Sequence, residues 1–313
     1  MGLSLLMNIL VTGGAGFIGS HVCDALLAEG HSVFVLDNLS TGSLENLPKG
    51  VVLFERSLTE DLVPVFEKAK PQAVFHLAAQ IDVRKSLEQP KWDAEQNIIG
   101  SLNLFETMKQ YGVKRIIFSS TGGALYGETS RIPTPETSPT KPESPYGIAK
   151  LAIENYLSVY SLLHGFSVTV LRYGNVYGPR QALKGEAGVV ALFTKKLLKQ
   201  EQCTINGDGK QTRDYVYVKD VVEANITAFR EKLEGTYNIG TGVETSVNDI
   251  YAKLAKLVDY PWKAVHAPAI KGELQRSCLQ ADKISEYWKP KHSLDIGMAE
   301  TVVWFKQHGS QAI

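Results

Sequence analysis

Cysteine is scarce in this sequence, and its scarcity excludes two classes of protein. The 313 residues contain three cysteines, Cys23, Cys203 and Cys278, which are scattered and odd in number. No Cys-x-x-Cys or Cys/His spacing occurs, so the sequence predicts neither a disulfide framework nor a bound metal. Free thiols are typical of a reducing compartment, and we therefore expect a cytoplasmic protein.

An excess of charge of one sign is also absent. Lys and Arg together number 33, and so do Asp and Glu. No long-range field therefore favours nucleic acid or a membrane surface as a partner. No apolar run approaches the roughly 18 residues that a membrane span requires. An anionic substrate would therefore have to be bound by local groups.

The first half of the sequence alternates short apolar segments with amphipathic ones. Predicted strands cover residues 8–11, 32–36, 51–54, 73–77, 115–118 and 167–171, and predicted helices cover 17–29, 62–70, 94–111 and 146–164. Repeated alternation of this kind predicts an α/β fold with a doubly wound parallel sheet of the Rossmann type. Such sheets bind ligands at the carboxyl ends of their strands.

Beyond Arg172 the alternation loosens, and segments rich in Gly and Pro separate shorter elements. We therefore predict two parts. Residues 1–172 form a dinucleotide-binding domain, and residues 173–313 mainly form a smaller C-terminal α/β lobe that binds the substrate. Within the second part, residues 221–230 are predicted to pack back on the sheet.

A glycine-rich turn follows the first predicted strand. Gly14-x-Gly16-x-x-Gly19 ends that strand and opens a helix, and Gly13 precedes it. Glycines at this spacing allow a tight turn and the close approach of a pyrophosphate, which then lies at the helix N-terminus. The alternative is an ordinary strand–helix turn. The strand before it and the helix after it favour dinucleotide binding.

Asp37 ends the second predicted strand. An acid at this place accepts hydrogen bonds from a ribose diol and repels a 2′-phosphate, so the predicted cofactor is NAD and not NADP. Considered by itself, Asp37 is equally typical of a turn or a helix cap.

Tyr146 and Lys150 are four residues apart in a predicted helix. This spacing puts both side chains on one face, one turn apart. A nearby ammonium lowers the pKa of a phenol from its usual value of about 10, which makes the pair a candidate for proton transfer. The alternative is an exposed helix turn, because Tyr-x-x-x-Lys also occurs by chance.

Taken together, these motifs resemble the extended short-chain dehydrogenase/reductase superfamily. Within it, the chain is similar to the nucleotide-sugar 4-epimerases of the UDP-glucose 4-epimerase kind, which belong to the NAD-dependent epimerase/dehydratase family. The resemblance covers essentially the whole chain. It implies that Tyr146 takes the proton of the sugar 4-hydroxyl, that Lys150 holds the ribose and tunes Tyr146, and that Thr121 positions the same hydroxyl. It also implies NAD as cofactor, no metal, and a homodimer.

The resemblance assigns a larger set of residues to the NAD site. These are Gly13, Gly14, Gly16, Phe17, Ile18, Gly19, Asp37, Asn38, Ser40, Thr41, Gly42, Ser57, Leu58, Leu77, Ala78, Ala79, Gln80, Asn97, Ser119, Tyr146, Lys150 and Tyr173. One position departs from the family pattern, because Ser57 stands where the family has an aspartate that holds the adenine amine. Ser57 can form a hydrogen bond but carries no charge, so weaker binding of the cofactor is expected.

A second set is assigned to the sugar nucleotide. It comprises Thr121, Gly122, Gly123, Tyr146, Asn175, Gly188, Val189, Val190, Arg213, Lys271, Arg276 and Ser277. Arg213 matches the family's diphosphate-binding arginine, and the alternative for it is an ion pair with Asp214. Ile270 stands where the family has a second arginine, which leaves Lys271 or Arg276 as substitutes.

The residues that follow Thr121 select among the family's reactions. Gly122-Gly123-Ala124-Leu125 contains no acid or base, whereas dehydratases and decarboxylases of the superfamily carry acidic groups there. The expected reaction is therefore epimerisation at C4. The resemblance implies a small-molecule nucleotide sugar as partner, with interconversion of UDP-glucose and UDP-galactose through a transient 4-keto intermediate, as part of galactose metabolism.

Two alternatives remain open. One is a 4-epimerase of a UDP-N-acetylhexosamine, UDP-uronate or UDP-pentose, and Ser277 bears on it because a small residue at that place in the family admits an N-acetyl group. The other is a non-catalytic NAD(H)-binding regulator on the same fold, since a fold does not determine a function.

Overall fold

The computed structural model of the protein describes residues 6–182, 188–270, 272 and 274–308. The described chain divides into two compact units. The first unit contains residues 6–121, 142–171 and 222–236, and the second contains the described parts of 122–141, 172–221 and 237–308. Among the described residues, no helix is both long enough and apolar enough to cross a membrane.

The strands and helices follow one another along the chain as follows. The strands are β1 Asn8–Thr12, β2 Ser32–Asp37, β3 Val52–Glu55, β4 Ala73–His76, β5 Arg115–Thr121, β6 Ser167–Tyr173, β7 Asn175–Tyr177, β8 Thr204–Asn206, β9 Thr212–Tyr217, β10 Gly235–Ile239, β11 Glu244–Ser246, β12 Val265–Ala267 and β13 Arg276–Ser277. The α-helices are α1 Phe17–Ala28, α2 Val63–Ala69, α3 Val83–Glu88, α4 Pro90–Ala94, α5 Gly100–Gln110, α6 Gly122–Leu125, α7 Pro145–His164, α8 Val189–Leu198, α9 Val218–Arg230, α10 Val247–Leu257 and α11 Leu294–His308.

Seven of the strands form the central sheet, in the order β10-β6-β5-β4-β1-β2-β3. The pairings of β1 with β2 and β4, of β2 with β3 and of β4 with β5 are parallel. A strand that is covered on both faces has a continuous run of apolar residues instead of an alternating pattern. Strand β1 is of this kind, because Ile9, Leu10 and Val11 are all fully buried. The predicted α/β class with a doubly wound parallel sheet is confirmed.

The strand order places a ligand crevice. Because β1 lies between β2 and β4, successive crossovers leave it in opposite directions. In such sheets the crevice opens at the carboxyl ends of the strands where the order reverses. Gly13 follows β1 and Leu77 follows β4, so both segments assigned to the cofactor lie at this edge.

One predicted helix contains a π-helical turn that its sequence did not indicate. Residues 94–111 were expected as a single helix, whereas the chain forms α4, then a π-helical turn at Glu95–Ile99, and then α5. A π turn inserts one residue into the helical repeat and redirects a side chain, and such turns are frequent at functional sites. Here Asn97 lies within the turn, and its amide reaches the backbone of Gln80.

The second unit contains two small sheets. In the larger, β9 pairs antiparallel with β11 and parallel with β13 and β7. In the smaller, β12 pairs with β8. Asp214 of β9 is 1% exposed, and its carboxylate accepts hydrogen bonds from the amides of Thr241, Gly242 and Leu279. These bonds hold two loops of the unit against β9.

Candidate active site

The glycine turn lies against the end of β4. Gly13 has a φ of +71°, and a Cβ there would lie 2.6 Å from the amide nitrogen of Ala78. A Cβ at Gly19 would lie 2.1 Å from the carbonyl oxygen of Gly13. Only glycine fits these two positions, because the backbone segments touch. The Gly13, Ala15 and Gly16 amides donate to groups of the protein itself, so it is the start of α1 that offers amides to an anion.

Asp37 is joined to the glycine turn by its carboxylate. It accepts a hydrogen bond from the Ala15 amide at 3.0 Å and from the Leu39 amide at 2.8 Å. Burial raises the pKa of Asp37, and these two amide bonds oppose the rise. Asp37 thus has a structural role. That its carboxylate also accepts hydrogen bonds from a ribose, through its remaining lone pairs, stays a prediction.

The end of β3 carries Ser57 where an aspartate was expected. The Ser57 hydroxyl lies 3.0 Å from the Thr59 hydroxyl, and the Ser57 amide donates to the Glu60 carboxylate at 2.8 Å. The segment after β3 is therefore held in its conformation by hydrogen bonds between its own residues.

A buried polar cluster supports the loop after β4. The Gln80 amide donates to the Asn97 side chain at 2.8 Å, and Asn97 donates back to the Gln80 carbonyl at 3.0 Å. Both side-chain amides also donate to one oxygen of Asp93, at 2.8 and 3.1 Å. The predicted role of Asn97 in supporting the loops around the cofactor agrees with these contacts.

His76, which the sequence left without partners, is part of a second cluster. One ring nitrogen lies 2.8 Å from the Thr12 hydroxyl, and the other lies 2.9 Å from the Ser101 hydroxyl. The Thr12 hydroxyl also accepts from the Ala78 amide at 3.2 Å. Burial, with a contribution from Lys150, lowers the pKa of His76 to about 3, so the ring is neutral at pH 7.

Lys150 and Tyr146 lie in the first two turns of α7. Ser144 caps this helix by accepting from the Gly147 amide, and Pro145 occupies its first turn. The Lys150 ammonium donates to the Ser119 carbonyl at 2.7 Å and lies 5.9 Å from the centre of the Tyr146 ring. The predicted helical pair is therefore placed at the end of β5.

The electrostatics of this pair are set mainly by burial. Burial lowers the pKa of Lys150 to about 8, and the carboxylates of Glu154 and Asp93 oppose the fall. Burial also raises the pKa of Tyr146, and the Asp93 charge raises it further. Tyr146 can act as a base only where a positive charge offsets both effects, and the Lys150 ammonium is the charge that this unit provides.

The remaining predicted residues of the first unit lie at the same strand ends. Thr121 ends β5, two residues after Ser119, and is half-buried. The loop after β2 reaches the glycine turn, since the Ser43 amide donates to the Ala15 carbonyl at 3.0 Å. Tyr173, also assigned to the cofactor, belongs to the second unit.

The residues predicted for the sugar nucleotide fall mostly in the second unit. Asn175, Arg213 and Ser277 lie on adjacent strands, because Asn175 pairs with Tyr215 of β9 and Ser277 pairs with Arg213. Gly188 precedes α8, whose first residues are Val189 and Val190. Gly122 and Gly123 begin α6. Lys271 lies outside the described residues.

The two arginines differ in their partners. Arg276 forms a two-point ion pair with Glu244, with one nitrogen–oxygen distance of 2.9 Å. Arg213 donates to the Thr212 carbonyl at 2.8 Å. The alternative ion pair with Asp214 is not formed within the described part of the unit, because Asp214 directs both its oxygens to Thr241, Gly242, Cys278 and Leu279. Both arginines stay predictions for phosphate binding.

Three residues near the pair were missed by the sequence analysis: Asp93, Ser120 and Glu154. Glu154 follows Lys150 by four residues, a spacing that places it on the same helix face. Asp93 precedes Asn97 by four residues. These spacings were visible in the sequence, but the burial that makes the two carboxylates consequential was not.

Comparison with known proteins identifies relatives of the whole chain. A family model described as the NAD dependent epimerase/dehydratase family matches residues 9–240. The UDP-glucose 4-epimerase of Mycolicibacterium smegmatis is 41% identical over 309 residues, which are 96% of this chain and 99% of that protein.

Two solved structures are similar in both sequence and fold. The UDP-glucose 4-epimerase of Thermotoga maritima, solved with UDP-glucose, is 49% identical with a TM-score of 0.93, over 96% of this chain and 99% of that one. The UDP-glucose 4-epimerase of Thermus thermophilus, in complex with NAD, is 45% identical with a TM-score of 0.91, over the same shares.

The close approach of Gly13 to Ala78 generates a prediction. Gly13→Ala is expected to raise the Kd for NAD at least about tenfold, because the new methyl would push the turn away from β4 and so disturb the cofactor site. A tenfold change in Kd corresponds to a loss of about 1.4 kcal/mol of binding free energy. Isothermal titration calorimetry measures the affinity, and thermal denaturation measures the stability.

The matched control is Gly112→Ala. Gly112 has a φ of +69°, nearly that of Gly13, but no atom lies within 4 Å of an added Cβ. This variant is expected to lose only about 1–2 kcal/mol of folding stability, from backbone strain, and to keep its affinity for NAD. Equal losses of NAD binding in both variants would contradict the role given to the close approach.

Proposed function

The chain belongs to the NAD dependent epimerase/dehydratase family, and from this premise we propose that it interconverts UDP-glucose and UDP-galactose. One observation carries the proposal. The Tyr146–Lys150 pair is held at the end of β5 by the hydrogen bond from Lys150 to Ser119. It lies in the same unit as the glycine turn, where a proton acceptor and a dinucleotide are both required.

The first unit fits a dinucleotide. The glycine turn lies so close to Ala78 that a Cβ at Gly13 would fill the space, and the amides at the start of α1 are left for a pyrophosphate. We assign the predicted glycines, Asp37 and the segment from Leu77 to Gln80 to its binding. When bound there, NAD supplies the acceptor for a hydride that leaves C4 of the sugar and the donor that returns it.

Proton transfer is the task of the chain's own residues. We assign to the phenol oxygen of Tyr146 the acceptance of the 4-hydroxyl proton and its later return. The Lys150 cation favours the ionised phenol. Thr121 holds the same hydroxyl by a hydrogen bond. The sugar passes through a 4-ketone, and the proton that Tyr146 holds is returned to the 4-oxygen of the product, so no net proton or electron is consumed.

The second unit is proposed to bind the sugar nucleotide. Asn175, Arg213 and Ser277 share one sheet there, and the guanidinium of Arg213 suits a diphosphate. We further propose that the enzyme acts in the cytoplasm, in galactose metabolism. The three cysteines are buried thiols and form no disulfide, which agrees with a reducing compartment.

A homodimer is proposed from one face of α7. Five apolar side chains on this helix are exposed in the single chain, at 53%, 42%, 47%, 83% and 66%, and we call them the α7 stripe: Ile148, Tyr156, Val159, Leu162 and Leu163. A contiguous apolar stripe along a long helix is typical of a surface that a partner covers. A second copy of the chain would bury the stripe symmetrically.

The assignment of Tyr146 is tested by Tyr146→Phe. Loss of the phenol oxygen removes the proton acceptor, and kcat with UDP-galactose is expected to fall by about 10²–10⁴-fold. The circular dichroism spectrum and the affinity for NAD are expected to stay unchanged.

The control for that variant is Tyr156→Phe, which removes a hydroxyl from an exposed tyrosine of the same helix and is expected to keep its activity. Activity of Tyr146→Phe within a few-fold of the wild type would remove Tyr146 from the reaction. Inactivity of the wild type itself, with NAD bound, would favour a non-catalytic regulator.

A second substrate class is favoured by Ser277. Its side chain is small and half-buried, and at the matching place in the family a small residue leaves room for an N-acetyl group. We therefore expect measurable turnover of UDP-N-acetylglucosamine, below that of UDP-glucose. Ser277→Tyr is expected to suppress it, because overpacking costs about 1–3 kcal/mol.

Turnover of UDP-glucose by the same variant is the internal control and is expected to be largely spared. Steady-state rates with both substrates, followed by NMR of the anomeric protons, make the measurement. Equal losses with both sugars, or no turnover of UDP-N-acetylglucosamine by the wild type, would mean that Ser277 does not select the substrate.

The dimer is tested by Val159→Asp, which places a charge within the α7 stripe. Sedimentation velocity is expected to give a dimer for the wild type and a monomer for the variant, because burying an unpaired charge is unfavourable. The matched control is Val303→Asp on α11, where the valine is 52% exposed but lies outside the stripe. A wild type that sediments as a monomer would contradict the proposal.

A further inference from the structure

Two buried carboxylates act on Lys150, and the proposed reaction uses neither of them. Asp93 is 1% exposed, Glu154 is 8% exposed and Lys150 is 2% exposed. Burying three charged groups is costly unless they compensate one another. Their presence around one residue of the site requires a physical reason.

Glu154 connects α7 to β5 at the place where Lys150 does. It follows Lys150 by one helical turn, and its carboxylate accepts a hydrogen bond from the Ser120 hydroxyl at 2.5 Å. Ser120 stands between Ser119, whose carbonyl accepts from Lys150, and Thr121. The strand end that carries Thr121 is therefore joined to the helix on two successive residues.

Asp93 approaches the pair from α4. One of its oxygens accepts from Gln80 and Asn97. The other oxygen is buried and has no hydrogen-bond partner among the residues that the structure describes. A buried oxygen without a partner is unfavourable by itself. Its charge is felt by both members of the pair, since it favours the cation of Lys150 and disfavours the anion of Tyr146.

The other groups packed against α7 do not offer a competing charge. From β4, His76 is neutral, because its pKa is about 3. From α3, the charged residues Arg84, Lys85 and Glu88 are exposed to solvent, as are Lys91 of α4 and Glu95 of the π turn. From α5, Glu106 is bonded to Tyr160 and Lys109, further along the helix. Within the described residues, Asp93 and Glu154 are thus the anions that act on Lys150.

We propose that Asp93 and Glu154 are positioning residues that keep Lys150 in its charged form beside Tyr146, and that Asp93 also sets how readily Tyr146 ionises. This role rests on the proposed function, because it acts through the proton acceptor of that reaction. Both carboxylates favour the lysine cation in a buried site where the neutral amine would otherwise be preferred. The two residues differ in their effect on the phenol, which makes them separable.

The two roles predict different pH profiles. Glu154→Gln removes a charge but keeps an oxygen that can accept from Ser120. Lys150 then loses its proton at lower pH, so the alkaline limb of kcat against pH is expected to move down by about one unit while the acid limb stays. Asp93→Asn is expected to move both limbs down, because the phenol also ionises more easily.

A direct titration tests the same point without turnover. In NAD-free protein labelled with ¹³C at the lysine ε carbon, the Lys150 resonance is identified by its loss in Lys150→Met. In the wild type it is expected to titrate near pH 8, and in both Glu154→Gln and Asp93→Asn about one pH unit lower. An unchanged Lys150 pKa in both variants would overturn the proposal.

Ser120→Ala is the matched control, since it removes the hydrogen bond to Glu154 and leaves the charge. It is expected to lower Tm without moving either limb or the Lys150 titration. A displacement as large as that of Glu154→Gln would overturn the proposal in favour of a purely structural clamp. If Glu154→Gln does not fold, Asp93→Asn decides, because Asn can keep the oxygen that accepts hydrogen bonds from Gln80 and Asn97. An inactive wild type with a normal Lys150 titration would count against the proposed function alone.

Discussion

The contact between the glycine turn and the end of β4 is the constraint on which the first unit's site depends. Backbone meets backbone there, since a Cβ at Gly13 would lie 2.6 Å from the Ala78 amide nitrogen. The Thr12 hydroxyl accepts from that same amide, and the Asp37 carboxylate accepts from the Ala15 amide. The turn is therefore held from two strands, and the amides at the start of α1 are preorganised for an anion.

Buried charge is the second organising feature, and the partners of the buried charges differ between the two units. In the second unit Asp214 is satisfied completely by backbone amides and a hydroxyl, so its charge organises loops. In the first unit the carboxylates of Asp93 on α4 and Glu154 on α7 both act on the ammonium of Lys150 on α7. Because burial magnifies such interactions, changes of charge there alter both the proton affinity of Lys150 and the stability of the unit.

Helix α7 combines these features in one element. One face carries Tyr146 and Lys150 in its first turns and Glu154 in the next, and Lys150 and Glu154 are hydrogen-bonded to β5. The opposite face carries the α7 stripe, which is exposed in the single chain. A contact that covers the stripe would also stiffen the helix that holds the proton acceptor, which links assembly to the geometry of the site.

Local sequence patterns determined the class of the sheet, the positions of its strands, the glycine turn and the helical Tyr–Lys pair. They could do so because apolar alternation, the conformational freedom of glycine and helical spacing are properties of short segments. The π turn at Asn97, the clamp of Ser120 by Glu154, the partners of His76 and the unpartnered oxygen of Asp93 were decided only by the tertiary structure. The contacts of His76 and the bond between Ser120 and Glu154 join residues that are far apart along the chain, 34 positions in the case of Ser120 and Glu154. From sequence alone a carboxylate is expected to be a solvated surface charge. Packing removes water from Asp93 and Glu154, and this burial allows their charges to act on Lys150.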